Sequence, residues 1–541
     1  MRLIEDVIGK SGRYQICLFA LFVPTFMVAG IQPLAFTFTA AKPKVRCFLP
    51  TIDNDTFTQY SGNFSSFYPN STRCRYCAKS LNGSQTCDEL DSQFCDQGFV
   101  YSYDQFQSSF TSKFDLVCQN AYKHQLSKTM LMAGFMVGAI TAGNLGDRFG
   151  RRPVLLGYSI LCIIVNYLTI FAPNFAALCA LNLLNCTFNH GAYLVAYVVV
   201  AEYVGGKTKV FLLGIVHAFF ALGVSYVGLI AYFVRNYQWL QFWLNVPSLL
   251  TLCYFWLVPE STRWLIVNGY DKRALETLRK AAKFNGQSFN EQKVMRKIQH
   301  EIANEKASSP HVTKATVLDL FKNFYLARVT LAICLSWFAC ALSFWGLVLH
   351  SSDLPGNLYA VFQMGAWTQV LGVCISTGAM LTVGRKPSVI GGLAFAGVAV
   401  IASALLPPGV QYKKIQTILS MCGRVGAAGA FAVVYIYSAE CFPTVARNAG
   451  VGLASATARV ASIAAPSVYM LRIALGLNWV PSLIYGGVAL VASVVCLVLP
   501  ETAGKPLPET IEEGIAMAKG TKVKQVKEKD ENAMDNLLQK L

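Results

Sequence analysis

Twelve long apolar stretches run through the sequence and restrict what the chain can fold into. Each is long enough to cross about 30 Å of hydrocarbon as a helix, at about 1.5 Å per residue. Charged residues make up only 14% of the chain, against about 25% in soluble proteins. We therefore predict an all-α membrane protein with twelve transmembrane helices. The predicted spans are 15–36, 127–146, 153–172, 175–201, 209–233, 238–258, 327–349, 357–383, 387–407, 414–438, 447–471 and 478–499.

The first span is predicted to remain in the mature chain, because it is too long for a cleaved signal and no Ala-x-Ala site follows it. Basic residues cluster at alternate junctions, for example at Arg151 and Arg152 and between 259 and 325. By the positive-inside rule these junctions and both termini are cytoplasmic. The net charge of +17 is distributed in these short clusters. Nucleic-acid binding, which needs a continuous basic face, is therefore not expected.

The long segment 37–122 is predicted to be an extracellular, glycosylated and disulfide-bonded loop. It holds six cysteines, an even number that suits an oxidising compartment but allows 15 pairings. It also holds four Asn-x-Ser/Thr sequons. The cysteines are Cys47, Cys74, Cys77, Cys87, Cys95 and Cys118, and the sequons begin at Asn54, Asn63, Asn70 and Asn82.

The chain is internally duplicated. Gly-Arg-Arg-Pro at 150–153 recurs as Gly-Arg-Lys-Pro 234 residues later, and Pro-Glu-Ser-Thr at 259–262 recurs as Pro-Glu-Thr-Ala 241 residues later. Glu202 and Glu440 close the fourth and tenth spans, 238 residues apart. Two similar bundles around a central site can rock and expose it to alternate sides, so the pattern favours a carrier. The predicted parts are 1–36, the loop 37–122, spans two to six in 123–258, a cytoplasmic helical loop at 259–325, spans seven to twelve in 326–499, and a cytoplasmic tail at 500–541.

Residues 143–152, Gly-Asn-Leu-Gly-Asp-Arg-Phe-Gly-Arg-Arg, resemble the loop between helices two and three of the major facilitator superfamily. Here the glycines suit a tight turn and Asp147 can pair with an arginine, as a latch that holds the outward-open form. The second-half copy has Leu381 where the aspartate would fall, so its latch is expected to be weaker. The predicted latch residues are Gly143, Asp147, Arg148, Gly150, Arg151, Arg152, Glu202, Glu440 and Arg447.

Further sequence motifs narrow the resemblance to one family within this superfamily. Residues 9–15, 440–450 and 500–513, together with Trp-Phe and Phe-Trp-Gly-Leu in the seventh span, resemble the organic ion transporter family, solute carrier family 22. The likeness runs from about residue 9 to 513. It implies facilitated transport or exchange of amphiphilic organic cations, anions or zwitterions at the plasma membrane.

Two arginines lie deep in the predicted membrane. Arg459 is about 18 Å from the cytoplasmic end of its span, and Arg424 is about 14 Å from the outer end of its own. Neither has a carboxylate at its depth, so an anionic ligand is the natural counter-charge. The resemblance agrees, because anion and carnitine carriers of the family have arginine at the position of Arg459 where cation carriers have aspartate. The alternatives are structural: helix-end carbonyls or Ser462 as partners of Arg459, and a family-wide basic position at Arg424.

Aromatic residues are predicted to complete the pocket by contacts with flat or amphiphilic ions, although lipid contact or helix packing would also explain them. The anion exchangers of the family have an Asn near the end of helix one and a Lys in helix eight. Thr37 and the uncharged 367–379 stretch stand there instead, which argues against dicarboxylate-coupled exchange. The aromatic candidates are Tyr232, Phe344, Trp345, Phe431 and Tyr435.

No catalytic, metal or cofactor motif is found, so an enzyme is not expected. His190 and His217 are each the single histidine of their span, which favours packing or a minor pocket contact over metal binding. The sequence therefore predicts a secondary transporter of organic anions or zwitterions, whose partners are the substrate, the bilayer and a coupling ion or counter-substrate. An organic cation carrier, and a non-transporting receptor that uses the 37–122 loop, remain the alternatives.

Overall fold

The computed structural model describes residues 7–9, 12–43, 45–48, 74–76, 93–96, 98–102, 106–308, 317–350, 357–407, 410–477, 479–505, 507–508 and 510–520. The prediction of twelve membrane-crossing helices is confirmed. They are α1 (Arg13–Thr39), α2 (Ala121–Phe149), α3 (Arg151–Ile170), α4 (Phe175–Tyr203), α5 (Gly206–Phe233), α6 (Tyr237–Leu249), α7 (Phe324–His350), α8 (Leu358–Thr382), α9 (Arg385–Leu405), α10 (Lys413–Cys441), α11 (Arg447–Leu475) and α12 (Val480–Val495). A 3₁₀ turn and a short helix continue α6 to Leu257, and a 3₁₀ turn continues α12 to Val498, so that these two spans also reach the length needed to cross the membrane.

Several helices extend beyond the predicted apolar windows. Helix α2 begins at Ala121, six residues before the predicted span. The apolar window measures the hydrocarbon layer, whereas a helix continues until its backbone bonding is interrupted. At the other end of α2 that interruption is Gly150, whose φ of 102° is a conformation that favours glycine.

The helices form two sets of six with the same packing pattern. In the first set α2 and α3 pack on α4, and α1 packs on α5; in the second, α8 and α9 pack on α10, and α7 packs on α11. The two sets meet along α5 with α8 and along α2 with α11. The Gln363 side chain donates to Ser225 Oγ at 2.5 Å across the first of these contacts.

The repeat is visible at atomic contacts between helices. A Cβ added to Gly138 of α2 would overlap the carbonyl oxygen of Thr187 on α4, and one added to Gly372 of α8 would overlap that of Val425 on α10. Gly372 follows Gly138 by 234 residues and Val425 follows Thr187 by 238, the offsets read from the sequence. Both halves therefore use glycine at the same place to bring two backbones together.

The loop between α1 and α2 is held by short strands and disulfides. Strand β1 (Val45–Cys47) pairs antiparallel with β4 (Phe99–Tyr101), and β2 (Arg75–Tyr76) pairs with β3 (Gln93–Phe94). Two disulfide bonds join Cys47 to Cys95 and Cys74 to Cys118. The other two loop cysteines that were predicted to form disulfide bonds, and the four predicted glycosylation sites, lie outside the described residues. They are Cys77, Cys87, Asn54, Asn63, Asn70 and Asn82.

Polar helices lie in the chain between the two halves. The helix Asp271–Phe284 buries one apolar face in the core of the first half. At its end Asn285 accepts from the Tyr14 backbone N–H at 2.8 Å and donates to the Ile8 carbonyl at 2.9 Å. This helix is therefore tied to the start of α1.

Candidate substrate cavity and candidate latches

A central cavity of about 60 Å³ lies where the two halves meet. Eight of the described helices contribute side chains or backbone to it, four from each half, so its walls separate if the halves move apart. The lining residues are Ala29, Phe135, His190, Tyr193, His217, Phe220, Phe344, Trp345, Gln369, Val373, Ala428, Phe431, Tyr435 and Arg459.

Arg459 supplies the charge of this cavity. Its side chain is buried, with 6% of the residue exposed, and its Nη2 donates to Nε2 of His190 at 2.8 Å. Its Nε has no hydrogen-bond partner. No aspartate or glutamate is among the described residues that line the cavity. The guanidinium therefore lacks a carboxylate partner there.

The bond to Arg459 fixes the state of His190. A guanidinium can only donate hydrogen bonds, so Nε2 accepts and the imidazole is neutral, with its proton on Nδ1. The ring is held edge-on by Phe135, with centroids 4.9 Å apart, and is stacked on Tyr193 at 5.7 Å. The contact joins α4 of one half to α11 of the other.

Aromatic rings form much of the remaining wall of the cavity. Four of the five predicted aromatics, Phe344, Trp345, Phe431 and Tyr435, line the cavity. Phe344 lies 5.9 Å from Phe431, and Tyr435 rests on the buried Trp337 at 4.3 Å between ring centroids. The wall offers apolar area and ring faces to a bound molecule.

The structure does not place Tyr232 or Arg424 in the cavity. Tyr232 lies about four helical turns along α5 from the cavity residue His217, and it is therefore too far away to line the cavity. It is 54% exposed near the end of α5, where its ring meets the ring of Tyr359 at 5.6 Å between centroids. Arg424 is 2% exposed and packs against Gly365 between α8 and α10, inside the second half. Its Nε and Nη1 have no hydrogen-bond partner.

The structural alternative for Arg459 through Ser462 is not realised. The Ser462 hydroxyl donates to the Ala458 carbonyl of its own helix at 2.8 Å.

A second cavity of about 340 Å³ lies at the loop-side end of α1 and α2. It is lined by Lys42, Lys128 and His124, and no aspartate or glutamate is among its described lining residues. Trp345 lines this cavity and the central one, so its indole stands between them. We call this cavity the vestibule.

The first-half latch centres on Arg151. Its Nη1 pairs with Asp147 at 2.6 Å, one helical turn before it, and its Nη2 lies 3.7 Å from Glu202. Ser261 donates to the other oxygen of Glu202 at 2.5 Å. The Glu260 carboxylate accepts from the Arg151 backbone N–H at 2.8 Å, at the exposed N-terminus of α3.

The second half repeats the arrangement without the aspartate. Arg385 pairs with Glu440 at 3.1 Å, and Thr502 donates to Glu440 at 2.6 Å. Burial opposes ionisation of Glu501, but backbone N–H donors outweigh it and hold the pKa of its carboxyl below the ordinary value. Those donors belong to Ala503, Arg385, Lys386 and Thr502.

The other predicted latch residues have smaller parts. Gly143 lies within α2 with open space around it, so the turn depends on Gly150 and not on Gly143. Arg152 donates to the Phe255 carbonyl at 2.7 Å, and Arg148 lies over the Phe149 ring at 5.3 Å. Arg447 donates to Thr444 at 3.2 Å in its own loop and forms no ion pair with Glu440 among the described contacts.

Comparison with known proteins agrees with this fold and these motifs. The family model described as "Sugar (and other) transporter" matches residues 90–513. The Organic cation transporter protein of Drosophila melanogaster is 31% identical over 94% of each chain. Solute carrier family 22 member 3 of Mus musculus is 34% identical over 76% of this chain and 73% of its own. The chain belongs to solute carrier family 22. The family predicted from the motifs is confirmed, and the protein is a transporter and not an enzyme.

The fold of this family 22 transporter is that of the major facilitator superfamily. The partially occluded, inward-open structure of the xylose transporter XylE from E. coli superimposes with a TM-score of 0.61 at 16% identity. The alignment covers 91% of this chain and all of XylE. At this identity the likeness concerns the fold alone.

Several cavity residues of this family 22 chain were not predicted as site residues. His190 had a signal, a single histidine in an apolar span, but its partner Arg459 lies 269 residues away. Gln369 had a similar signal, since a buried amide in a span needs a partner, and its Oε1 has none. Sequence reasoning did not propose Phe135, Tyr193 or Gln369, and it considered His190 and His217 only for packing or a minor pocket contact.

Proposed function

We propose that this protein carries small amphiphilic organic anions, including carboxylate-bearing zwitterions, across the plasma membrane by alternating access. The observation that carries the proposal is Arg459, a buried cation that lines the central cavity with no carboxylate beside it. The proposal includes cytoplasmic termini, an extracellular 37–122 loop glycosylated at its sequons, and a latch built on Arg151 and Arg385.

The cost of an isolated charge supports an anionic substrate. A guanidinium does not lose its proton in proteins, so Arg459 remains a cation at the centre of the bundle. Such a charge costs at least about 3 kcal/mol in a membrane unless it is compensated. Its bond to neutral His190 supplies an acceptor but no negative charge. A bound carboxylate or sulfonate supplies both, in the two-oxygen geometry that guanidinium favours.

The cavity walls suit the rest of such a molecule. Phe344, Phe431 and Tyr435 offer apolar surface next to Arg459, which fits an ion with a ring or short chain attached. At about 60 Å³ the cavity has room for only a few waters. Substrate entry therefore requires the two halves to separate, which is what alternating access provides.

The vestibule offers the anionic substrate an entry route that is lined by basic side chains. Lys42, Lys128 and His124 line it, and basic side chains along an entry route raise the local concentration of anions. Trp345 separates this region from the central cavity. Movement of its indole would join the two spaces and admit the anion to Arg459.

An organic cation carrier is the second candidate. The similarity to a Drosophila protein named Organic cation transporter protein favours it, and ring faces also bind cations. On that account Arg459 repels the substrate, whereas on ours it binds the substrate. The two accounts therefore predict opposite effects when Arg459 is neutralised.

Uptake into cells that express the full chain tests the proposal. We expect aryl carboxylates and sulfonates to be taken up in preference to tetraalkylammonium ions. Arg459→Ala should lower anion uptake by at least about 100-fold at equal surface expression, since it removes a buried charge partner. Arg472→Ala, at the far end of α11, is the matched control and should retain uptake. Preferential cation uptake that survives Arg459→Ala would overturn the proposal.

A further inference from the structure

His190 is placed to do more than support Arg459. It is buried, with 6% exposed, and its Nε2 is in direct contact with the cation on which the proposed function depends. Histidine is the side chain whose charge changes most readily near neutral pH. While Arg459 has no anion, a proton on Nε2 would remove the bond and bring two cations together. A bound anion cancels one of those charges.

The groups around His190 leave Arg459 as its only charged neighbour among the described cavity residues. Helix α2 contributes the ring of Phe135, and α1 contributes Ala29, neither of which titrates. No carboxylate is among the described residues that line the space. The titratable side chains that line the cavity with it, among the described residues, are Tyr193 on α4, His217 on α5, Tyr435 on α10 and Arg459 on α11.

We propose that His190 binds one proton together with each anion that binds Arg459, so that the protein is a proton–anion symporter. This inference rests on the proposed function and specifies its coupling ion. It follows from the 2.8 Å contact between Nη2 and Nε2 and from the lack of a competing carboxylate in the cavity.

The loading step balances in atoms and charge. An anion oxygen takes the Nη2–H of Arg459, which frees the lone pair of His190 Nε2. A proton from the aqueous solution that enters with the anion forms an N–H bond at Nε2, and the imidazolium then donates to the anion. No bond between heavy atoms changes and no electron is transferred. Release on the other side reverses the step.

The proton also equalises the charge of the empty and loaded cavity. The empty cavity carries the single positive charge of Arg459, and the loaded cavity carries Arg459, imidazolium and a monoanion, again one positive charge. Both conformational steps then move the same charge, and transport of a monoanion is electroneutral. With Arg459 alone, each cycle would move one net negative charge and would respond to membrane potential.

Liposomes that contain the purified full chain and an internal pH dye test the inference. The probe is p-toluenesulfonate, a sulfonate that remains ionised and cannot carry a proton through lipid by itself. We expect its entry to acidify the interior with about one proton per anion. An inward gradient of about two pH units should drive accumulation up to about 100-fold, the limit for one coupled proton.

A glutamine variant of His190 and a control variant on the same helix test the assignment. His190→Gln keeps an oxygen that can accept from Arg459 but cannot bind the proton, so sulfonate entry should continue without acidification and become sensitive to a potassium diffusion potential. Tyr197→Phe is the control, because Tyr197 is a titratable residue of α4 that is not among the described residues lining the cavity. It should retain acidification at one proton per anion.

A binding measurement covers the case in which His190→Gln does not fold. Addition of p-toluenesulfonate to wild-type protein in weakly buffered detergent solution should raise the pH by about one proton bound per site. Sulfonate binding or transport by the wild type without proton movement would overturn the symport and leave the anion carrier intact. Proton movement that persists in His190→Gln would overturn the assignment to His190. Wild type that neither binds nor transports any sulfonate or carboxylate would overturn both proposals.

Discussion

At the scale of single residues, two buried arginines, Arg459 and Arg424, lie in different surroundings. Arg459 lies in the central cavity with neutral His190 as its partner. Arg424, for which the sequence predicted a similar depth in the membrane, is instead buried inside the second half. The two arginines looked equivalent along the chain. Their difference comes from the face of the helix on which each lies, and only Arg459 faces the other half.

Glu501 illustrates a charge that stabilises the folded state. Backbone N–H groups of the second latch hold its pKa below the ordinary value, so its contribution is present above the ordinary Glu range and is lost as the pH falls through the folded pKa. We expect Glu501→Gln to lower stability by about 1 kcal/mol at neutral pH, a modest value because the carboxylate is partly exposed.

Thermal unfolding in detergent at a series of pH values measures this effect. The difference between wild type and Glu501→Gln should shrink as the pH is lowered below the ordinary Glu value. A difference that stays constant from neutral to acidic pH would show that the charge of Glu501 is not its source.

Sequence reasoning located Arg459 and four aromatic residues of the cavity and did not propose Phe135, Tyr193 or Gln369. Arg459, Phe344 and Phe431 were found because they stand in motifs of one half of the chain. The pairing of His190 with Arg459 was not predicted, because it joins the two halves of the chain and no local pattern encodes it. Tyr232 was assigned by motif alone, and its distance along α5 from the cavity could not be judged without the helix packing.

At the scale of elements, glycine sets how closely helices approach. Gly138 and Gly372 each face a carbonyl oxygen of the neighbouring helix, at equivalent positions of the two halves. Helix number and order could be predicted because apolar length is a local property. Helix ends could not, because they depend on Gly150 and on polar residues beyond the hydrocarbon.

Alanine substitutions test these close approaches. Gly138→Ala and Gly372→Ala should force the helix pairs apart, since the facing backbone atoms have no room to move. Each substitution should therefore lower the free energy of unfolding by about 1–3 kcal/mol. Gly378→Ala is the control on α8, because a Cβ there meets no atom within 4 Å. It should be neutral or stabilise by up to about 1 kcal/mol. Equal melting temperatures for Gly372→Ala and Gly378→Ala would contradict the packing described here.

At the scale of the whole molecule, two similar halves enclose one asymmetric site. The latches repeat, with Arg151 and Glu202 in one half and Arg385 and Glu440 in the other. The cavity does not repeat, since its cation comes from α11 and its histidines come from α4 and α5. In the mechanism that we propose, duplication provides the moving scaffold, and differences between the halves provide substrate selectivity.

The vestibule predicts a dependence on ionic strength. Lys42 and Lys128 attract anions, and salt screens such attraction beyond about 10 Å at 0.1 M. Initial uptake of an anion at low concentration should therefore fall as salt rises, and Lys42→Gln with Lys128→Gln should reduce both the uptake rate and its salt dependence. Replacement of Lys414, at the start of α10 and outside the vestibule, is the control. If the double Lys42 and Lys128 variant shows the same salt dependence of uptake as the Lys414 variant, the vestibule is not part of the anion's entry route.

The charge at position 459 is the centre of the account, and reversing it is the most direct test. Uptake of p-toluenesulfonate and of tetraethylammonium should be measured for wild type and Arg459→Asp at equal surface expression, with Arg472→Asp as control. We predict that Arg459→Asp loses the sulfonate and gains uptake of the cation, while Arg472→Asp keeps the wild-type preference. Sulfonate uptake that is unchanged in Arg459→Asp would contradict the account.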